Sequence, residues 1–221
     1  MLFRSIYGKI KEYVQDRLFE RPVDLEHANT IRNLSELAAT KKILDTFKLA
    51  INALTVQDKG DAEIRDKIKL RDTRPFVTKE QGYVVAKKSV FNRIVGDSGF
   101  ELQFAAFLEN CPDVVSYAKN YLAVPFRLDY VNAVGDISNY NPDFFVKLSE
   151  GEVFLVETKG QVDVDVAPKL ERLRQWCNDV NRAQAEVKYD FVYVDEDGFK
   201  KFASKSFRQL VDGFREYKDG Q

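Results

Sequence analysis

The chain has 221 residues, 44% hydrophobic and 31% charged, with a net charge of −1 and a sequence pI of about 6.0. That length holds one full core or two small ones, and no apolar stretch approaches a membrane span. The near-neutral balance does not advertise nucleic-acid binding, so any basic face must be local, or supplied by another domain or by metal ions.

The N-terminus lacks the apolar run of a signal peptide. Leu2, Phe3, Ile6, Tyr7, Ile10, Tyr13 and Val14 recur at helical spacing, and Pro22 stops that helix. A second helix is expected from about Thr30 to Leu54, with Ile31, Leu34, Ala38, Leu44, Phe47, Ile51 and Leu54 on its buried face. Asp58 to Asp61, with Gly60, reads as a linker. Ile64 to Leu70 alternates and reads as a strand, and Arg71 to Gln81, with Pro75, is rich in turns.

From Ser89 the pattern becomes mixed. Asp97-Ser98 caps a helix whose apolar stripe is Phe100, Phe104, Phe107 and Leu108, with Glu101 near its start, and Pro112 ends it. Tyr121 to Tyr130 reads as a strand. Two short apolar runs follow, Phe144 to Leu148 and Val153 to Val156, joined by a turn containing Gly151. They read as a hairpin. Val166 to Val180 is expected to be a helix with Leu170, Leu173, Cys177 and Val180 facing the core. Asp190 to Val194 is expected to be a buried strand, and Phe207, Leu210, Val211, Phe214 and Tyr217 mark a closing amphipathic helix. The order from Asp97 is α-β-β-β-α-β-α, without an internal repeat. The domain division this predicts is a mainly helical connecting region over residues 1–88 and an α/β domain over 89–221.

The hairpin carries the chemistry. Asp143 opens its first strand and Glu157 closes its second, so antiparallel pairing brings the two carboxylates together. Lys159, two residues on, projects from the same face as Glu157. Two carboxylates and a lysine at one end of a sheet form the layout of a site that holds Mg²⁺ and activates water against a phosphodiester. Mg²⁺ accepts few protein oxygens and keeps several waters. It supplies charge and lowers the pKa of its water, and a second ion can stabilise the leaving group.

Pro142-Asp143 followed by Glu157-Thr158-Lys159 resembles the PD-(D/E)xK nuclease superfamily. The longer strings Tyr140-Asn141-Pro142-Asp143 and Val156-Glu157-Thr158-Lys159-Gly160 look like the C-terminal endonuclease domain of type III restriction enzyme restriction subunits, over roughly Asn92 to Asp195. The resemblance implies an αβββαβ core with a mixed central sheet flanked by helices. It implies a Mg²⁺-dependent endodeoxyribonuclease, with Mn²⁺ as a substitute. Asp143, Glu157 and the backbone carbonyl of Thr158 would be metal ligands. Lys159 would orient or activate the attacking water, or stabilise phosphoryl charge. Ser98-Gly99-Phe100-Glu101 matches the acidic helix position of that domain, which makes Glu101 a further catalytic residue and metal ligand. A first-turn glutamate complementing the helix dipole is its structural alternative. Gln161 could touch a phosphate or be a polar loop residue. Lys169 and Arg172 are read on the outer face of the next helix, either solvated or against the DNA backbone. Gln175 is followed four residues later by Asp179, so the Gln-x-x-x-Tyr pair of some exonucleases in the superfamily is absent.

His27 is the only histidine, which argues against a nuclease built on a catalytic histidine, a His-rich zinc site or a Ser-His-Asp hydrolase. Cys111 and Cys177 have no metal or redox spacing and read as reduced thiols of a cytoplasmic protein. Trp176 is expected to cover a helix–sheet boundary and Tyr140 to be a packing residue. Type III restriction subunits are helicase–nuclease fusions, and no G-x-x-x-x-G-K-[ST] loop occurs here. The chain is therefore read either as a fragment of a longer polypeptide, the favoured reading, or as a free-standing nuclease-like protein, with its helical N-terminal region as the connection to a helicase motor, in cis or in trans, or as a docking surface. The implied partners are double-stranded DNA, that motor and a methyltransferase (modification) subunit, with no membrane. Double-strand cleavage needs two sites, by dimerisation or by two complexes meeting. Two other readings stand beside this one: a catalytically silent nuclease-fold DNA-binding or interaction module, and a repair or transposition nuclease of the same superfamily.

Overall fold

A computed structural model describes residues 8, 11–19, 21–55, 62–78, 82–133, 135–149, 151–160 and 165–219. The chain divides into two compact units, residues 1–58 and 59–221. The predicted positions Leu2, Phe3, Ile6, Tyr7 and Ile10, the linker at 58–61 and Gln161 lie outside the described residues. Among those described, no helix is long and apolar enough to cross a membrane.

The first unit contains helical residues 11–16, α1 (Ala28–Leu34) and α2 (Leu37–Thr55). His27 caps α1, its Nδ1 accepting from the Asn29 N–H at 3.2 Å. The single helix expected over Thr30–Leu54 is thus broken at Ser35-Glu36. There the Ser35 hydroxyl donates to the Arg32 carbonyl at 2.7 Å and the Thr40 hydroxyl to the Leu34 carbonyl at 3.0 Å. Short hydroxyl side chains compete for helix carbonyls in this way and favour a break. Tyr13 packs edge-on against Phe47, 5.4 Å between ring centroids. Ile31 and Leu44, expected to be buried, are 54% and 55% exposed. An amphipathic stripe reports which face is apolar, not what covers it.

In the second unit the strand expected over Ile64–Leu70 does not form. Residues 62–69 have no regular structure, and Leu70–Asp72 make one 3₁₀ turn. Interleaved charges leave Ile64 and Ile68 about 40% exposed, with no strand paired to them among the described residues. An antiparallel ribbon that the sequence reading did not anticipate follows, β1 (Tyr83–Val85) against β2 (Arg93–Val95). A tight approach at Gly96 leads into α3 (Gly99–Asn110). A Cβ there would lie 2.8 Å from the Ser98 carbonyl oxygen and from Leu102, which only glycine avoids. Ser98 caps α3, accepting from the Glu101 N–H at 3.2 Å, and Phe100, Phe104 and Leu108 are buried as their spacing predicts.

The remaining elements are β3 (Ser116–Lys119), β4 (Leu128–Val131), β5 (Ile137–Tyr140), β6 (Phe144–Ser149), β7 (Glu152–Lys159), α4 (Val166–Ala183), β8 (Lys188–Asp195), α5 (Glu196–Phe202) and α6 (Phe207–Asp219). The central sheet has the order β3-β6-β7-β8. Its first three strands are antiparallel, and β8 pairs parallel to β7 after the α4 crossover. The core order α3-β3-β6-β7-α4-β8 is the expected αβββαβ, a mixed sheet flanked by helices. One correction concerns its first strand. Residues 121–127 are irregular, as Pro125 with its missing N–H favours, and the strand that pairs with β6 is Ser116–Lys119. The later part of the expected Tyr121–Tyr130 strand becomes β4, which forms a separate ribbon with β5.

Alternation along the strands feeds two cores. Phe144, Val146, Phe154, Val156 and Val194 pack with α3 and α6 on one face. Leu155 packs with Leu173 and Cys177 of α4 and with Leu128, Tyr130 and Tyr140 on the other. Phe104 is fully buried, 5.4 Å from Phe144 between ring centroids. Truncating such a ring to alanine costs about 3–5 kcal/mol. Asp113 accepts from the Phe207 and Arg208 N–H groups at 2.9 Å each and so caps α6. Trp176 bridges Phe126 and Tyr189 edge-on, at 5.2 and 5.3 Å. Cys111 and Cys177 are buried and unpaired. Burial pushes both thiols up to about 12, so they pack as protonated apolar groups.

Candidate active site

The β6–β7 register sets the site. Phe144 pairs with Val156, Phe145 with Leu155 and Val146 with Phe154. One step beyond, the same register puts Asp143 opposite Glu157. The contact is closed by the next residue. The Thr158 N–H and the Thr158 hydroxyl both donate to Asp143 Oδ2 at 2.7 Å. From the other side, the Asn120 N–H donates to the Asp143 carbonyl at 2.7 Å. Asp143 is therefore gripped by β7 through its side chain and by the end of β3 through its backbone.

Glu157 is 8% exposed, and its Oε2 accepts from the Tyr140 hydroxyl at 3.0 Å. Lys159 is half-buried at the end of β7, on the face that Glu157 shares. Electrostatics report the closeness of the two carboxylates. Burial, with the Asp143 charge next, pushes Glu157 up to about 8, against the opposing effects of Tyr140, Lys169 and Lys159. Burial also raises Asp143, with Glu101 adding to the rise and the Thr158 hydrogen bonds and Lys119 opposing it. Burial and the Glu157 charge hold the Tyr140 hydroxyl well above the usual phenol range, so it stays a donor.

Glu101 stands on the first turn of α3, 8% exposed and close enough to Asp143 to raise it. Its carboxylate is engaged: Lys119 Nζ donates to Oε2, as does the Asp97 N–H at 3.1 Å. Lys119 is 3% exposed and also pairs with Asp97 Oδ2 at 3.1 Å. Burial alone would lower this ammonium. The hydrogen bond and charge of Glu101, with Asp143 and Asp97, outweigh burial and raise it.

Lys119 and Asn120 are residues of this neighbourhood that the sequence pattern does not single out. Tyr140 is expected to be a packing residue rather than a base-stacking one. It is buried, and it also orients Glu157 through a hydrogen bond. Lys169 and Arg172 were expected on an outer face, whereas both are half-buried against the β4–β5 ribbon. Lys169 Nζ lies 6.0 and 5.9 Å from the ring centroids of Tyr130 and Tyr140, and Arg172 Nε donates to the Asp129 carbonyl at 3.0 Å. The unforeseen ribbon covers that part of α4.

Among the described residues, no group of three or more His, Cys, Asp or Glu side chains is gathered as a metal cluster. The donor set is a pair: half-buried Asp143 and buried Glu157, with the Asp143 charge adding to the rise of Glu157. Such a pair is costly without a compensating cation. It suits Mg²⁺, which takes one or two carboxylates and keeps several waters.

The mixed αβββαβ sheet thus carries this carboxylate pair and a lysine at the hairpin ends. Residues 87–196 match a family model described as an endonuclease domain, and the fold of this segment is restriction-endonuclease-like. The match runs from just before β2 through β8 and takes in Glu101, Asp143, Glu157 and Lys159. No curated protein and no solved structure matches the chain in the corresponding comparisons.

Proposed function

We propose that the chain is the cleavage domain of a type III restriction enzyme, a Mg²⁺-dependent endonuclease that hydrolyses phosphodiester bonds of double-stranded DNA in the cytoplasm, with Mn²⁺ as a substitute ion. The observation that carries the reading is the pairing of half-buried Asp143 with buried Glu157 at the hairpin ends, locked by the two Thr158 hydrogen bonds. Asp143, Glu157 and the backbone carbonyl of Thr158 are the proposed ligands, and Glu101 is the further acidic residue beside them. When bound, the cation supplies positive charge at the phosphoryl oxygens and lowers the pKa of a water.

The chain's own groups do the rest. Thr158 fixes Asp143 in rotamer and opposes the rise of its carboxyl, because both of its hydrogen bonds favour the charged form. Tyr140 orients Glu157 from the opposite side. Lys159 positions the attacking water, or offsets charge that develops on the phosphoryl group, which works best where water is largely excluded. Lys169, close to Glu157 and above two tyrosine rings, adds a second positive charge at the mouth of the site and is proposed to meet a DNA phosphate.

Residues 89–221 are proposed as the nuclease domain and 1–88 as its connection to a helicase motor, in cis or in trans. A methyltransferase subunit supplies sequence recognition, and two sites, by dimerisation or by two complexes meeting, cut both strands. The test is cleavage of supercoiled plasmid with Mg²⁺ or Mn²⁺ by the wild type, Asp143→Ala and Lys159→Ala, alone and with the motor and methyltransferase partners. Metal-dependent nicking that disappears in both variants supports the nuclease. Acceleration by the partners supports the restriction assignment. Cleavage that persists in both variants overturns the site.

A further inference from the structure

Lys119 is the least expected charged residue of the fold. It is 3% exposed, it ends β3 opposite Phe144, and its Nζ lies 5.6 Å from the centroid of that ring. A lysine is almost never so buried unless it is paired. Here it is paired twice, with Glu101 Oε2 and with Asp97 Oδ2 at 3.1 Å. Both partners flank the start of α3, and Glu101 lies close enough to Asp143 for their charges to interact. The next residue, Asn120, fixes the Asp143 backbone at 2.7 Å. The dipeptide Lys119-Asn120, at the end of β3, thus holds Glu101 with its side chain and Asp143 with its peptide N–H.

We infer that Lys119 is a positioning residue that holds Glu101 out of the ligand set, so that the site offers a cation two carboxylates instead of three. The inference rests on the proposed metal-dependent nuclease reading. Its physical basis is competition. Glu101 Oε2 accepts from both the Lys119 ammonium and the Asp97 N–H, and a carboxylate so engaged does not also turn toward a cation. Three carboxylates on one Mg²⁺ would bind it more tightly, yet would neutralise the charge that polarises the phosphate. Withholding the third keeps the ion electrophilic. Removing Lys119 has two effects of the same sign on ion binding: it releases a carboxylate and it deletes a positive charge near Asp143.

The test is Mn²⁺ titration by electron paramagnetic resonance, with thermal unfolding as the fold control and plasmid nicking as the activity readout. Lys119→Met is expected to bind Mn²⁺ about 5-fold more tightly than the wild type while nicking about 10-fold more slowly. Lys119→Arg keeps both values near the wild type. The double variant Lys119→Met/Glu101→Gln returns Mn²⁺ affinity to within about 2-fold of the wild type, because the released carboxylate is gone. A merely structural lysine would weaken ion binding and activity together, and that result in a Lys119→Met protein that still unfolds cooperatively overturns the inference. Should Lys119→Met not fold, Glu101→Gln decides. Mn²⁺ affinity within about 3-fold of the wild type supports a withheld Glu101, and a loss of about 10-fold or more makes Glu101 a ligand and overturns it. A wild-type protein that binds no Mn²⁺ would overturn the metal-site reading and this inference with it. Ion binding without the Lys119→Met pattern would overturn the inference alone.

Discussion

Asp143 Oδ2 accepts two hydrogen bonds of 2.7 Å from Thr158, one from its N–H and one from its hydroxyl. The residue between Glu157 and Lys159 therefore ties the Pro-Asp half of the motif to the Glu-x-Lys half. The two halves are adjacent because the hairpin register places Asp143 opposite Glu157, and they are locked because position 158 carries a hydroxyl.

Thr158→Val keeps the shape and the backbone donor and removes only the hydroxyl. Loss of a hydrogen bond to a charged carboxylate costs about 1.5–3 kcal/mol. Urea unfolding in EDTA should show a loss of that size, and Mn²⁺ affinity should fall with it. Unchanged stability would mean that the hydroxyl bond contributes nothing.

The pH dependence follows from Glu157. Its carboxyl is raised in the fold to about 8 from an ordinary 4.5. A raised acid contributes stability that is complete below pH 4.5 and is lost as pH rises through about 8. Asp143, also raised, adds in the same direction. The metal-free protein should therefore lose thermal stability across that window. Mn²⁺ affinity should do the opposite, rising with pH and levelling above about 8, because the ion displaces a proton from Glu157. Melting curves and ion titrations over the same pH series would check both signs.

Glu157→Gln separates stability from function. Above pH 8 it replaces a buried charge with a neutral amide of similar shape whose oxygen can still accept from Tyr140. The variant should be more stable than the wild type in EDTA at that pH, and inactive in DNA cleavage with Mg²⁺. A destabilised variant would mean that the pair is not strained by its own charge.

Tyr140→Phe deletes the hydroxyl that favours ionised Glu157. The midpoint of the Mn²⁺-affinity pH profile should move above the wild-type value. Maximal affinity at high pH should fall by no more than about 3-fold, because both ligands remain. A midpoint that stays put would remove Tyr140 from the site.

Lys159→Ala tests the division of labour along β7. Cleavage should fall by about 100-fold or more, the scale of losing a positioned acid–base or electrostatic group. Mn²⁺ affinity should change by less than about 3-fold, because lysine is not a ligand. Equal losses in both would make Lys159 a structural part of the ion site.

The helices at α3, α4 and α6 and the three strands β6, β7 and β8 were legible from spacing, because each buries a regular apolar face. Asp143, Glu157 and Lys159 were legible because turn chemistry and strand period alone put them at one end. β3 was not. Its sequence, Ser-Tyr-Ala-Lys, hides a strand whose buried Lys119 is acceptable only because Glu101 and Asp97, about 20 residues earlier in the chain, neutralise it. The β4–β5 ribbon was missed because a turn-rich stretch separates two short strands, and with it went the inward setting of Lys169. Tyr140 looked like packing because nothing local reveals that its hydroxyl meets Glu157 across the fold. The break at Ser35 was written in the chain, but an apolar period running through it concealed it.

The most direct test of the central claim, that Asp143 and Glu157 are held together to bind one divalent cation, is a Mn²⁺ titration of the wild type, Asp143→Ala and Glu157→Gln followed by electron paramagnetic resonance at pH 8. The account predicts a saturable site in the wild type and a loss of affinity of about 10-fold or more in each variant. Equal Mn²⁺ binding by all three proteins would contradict it.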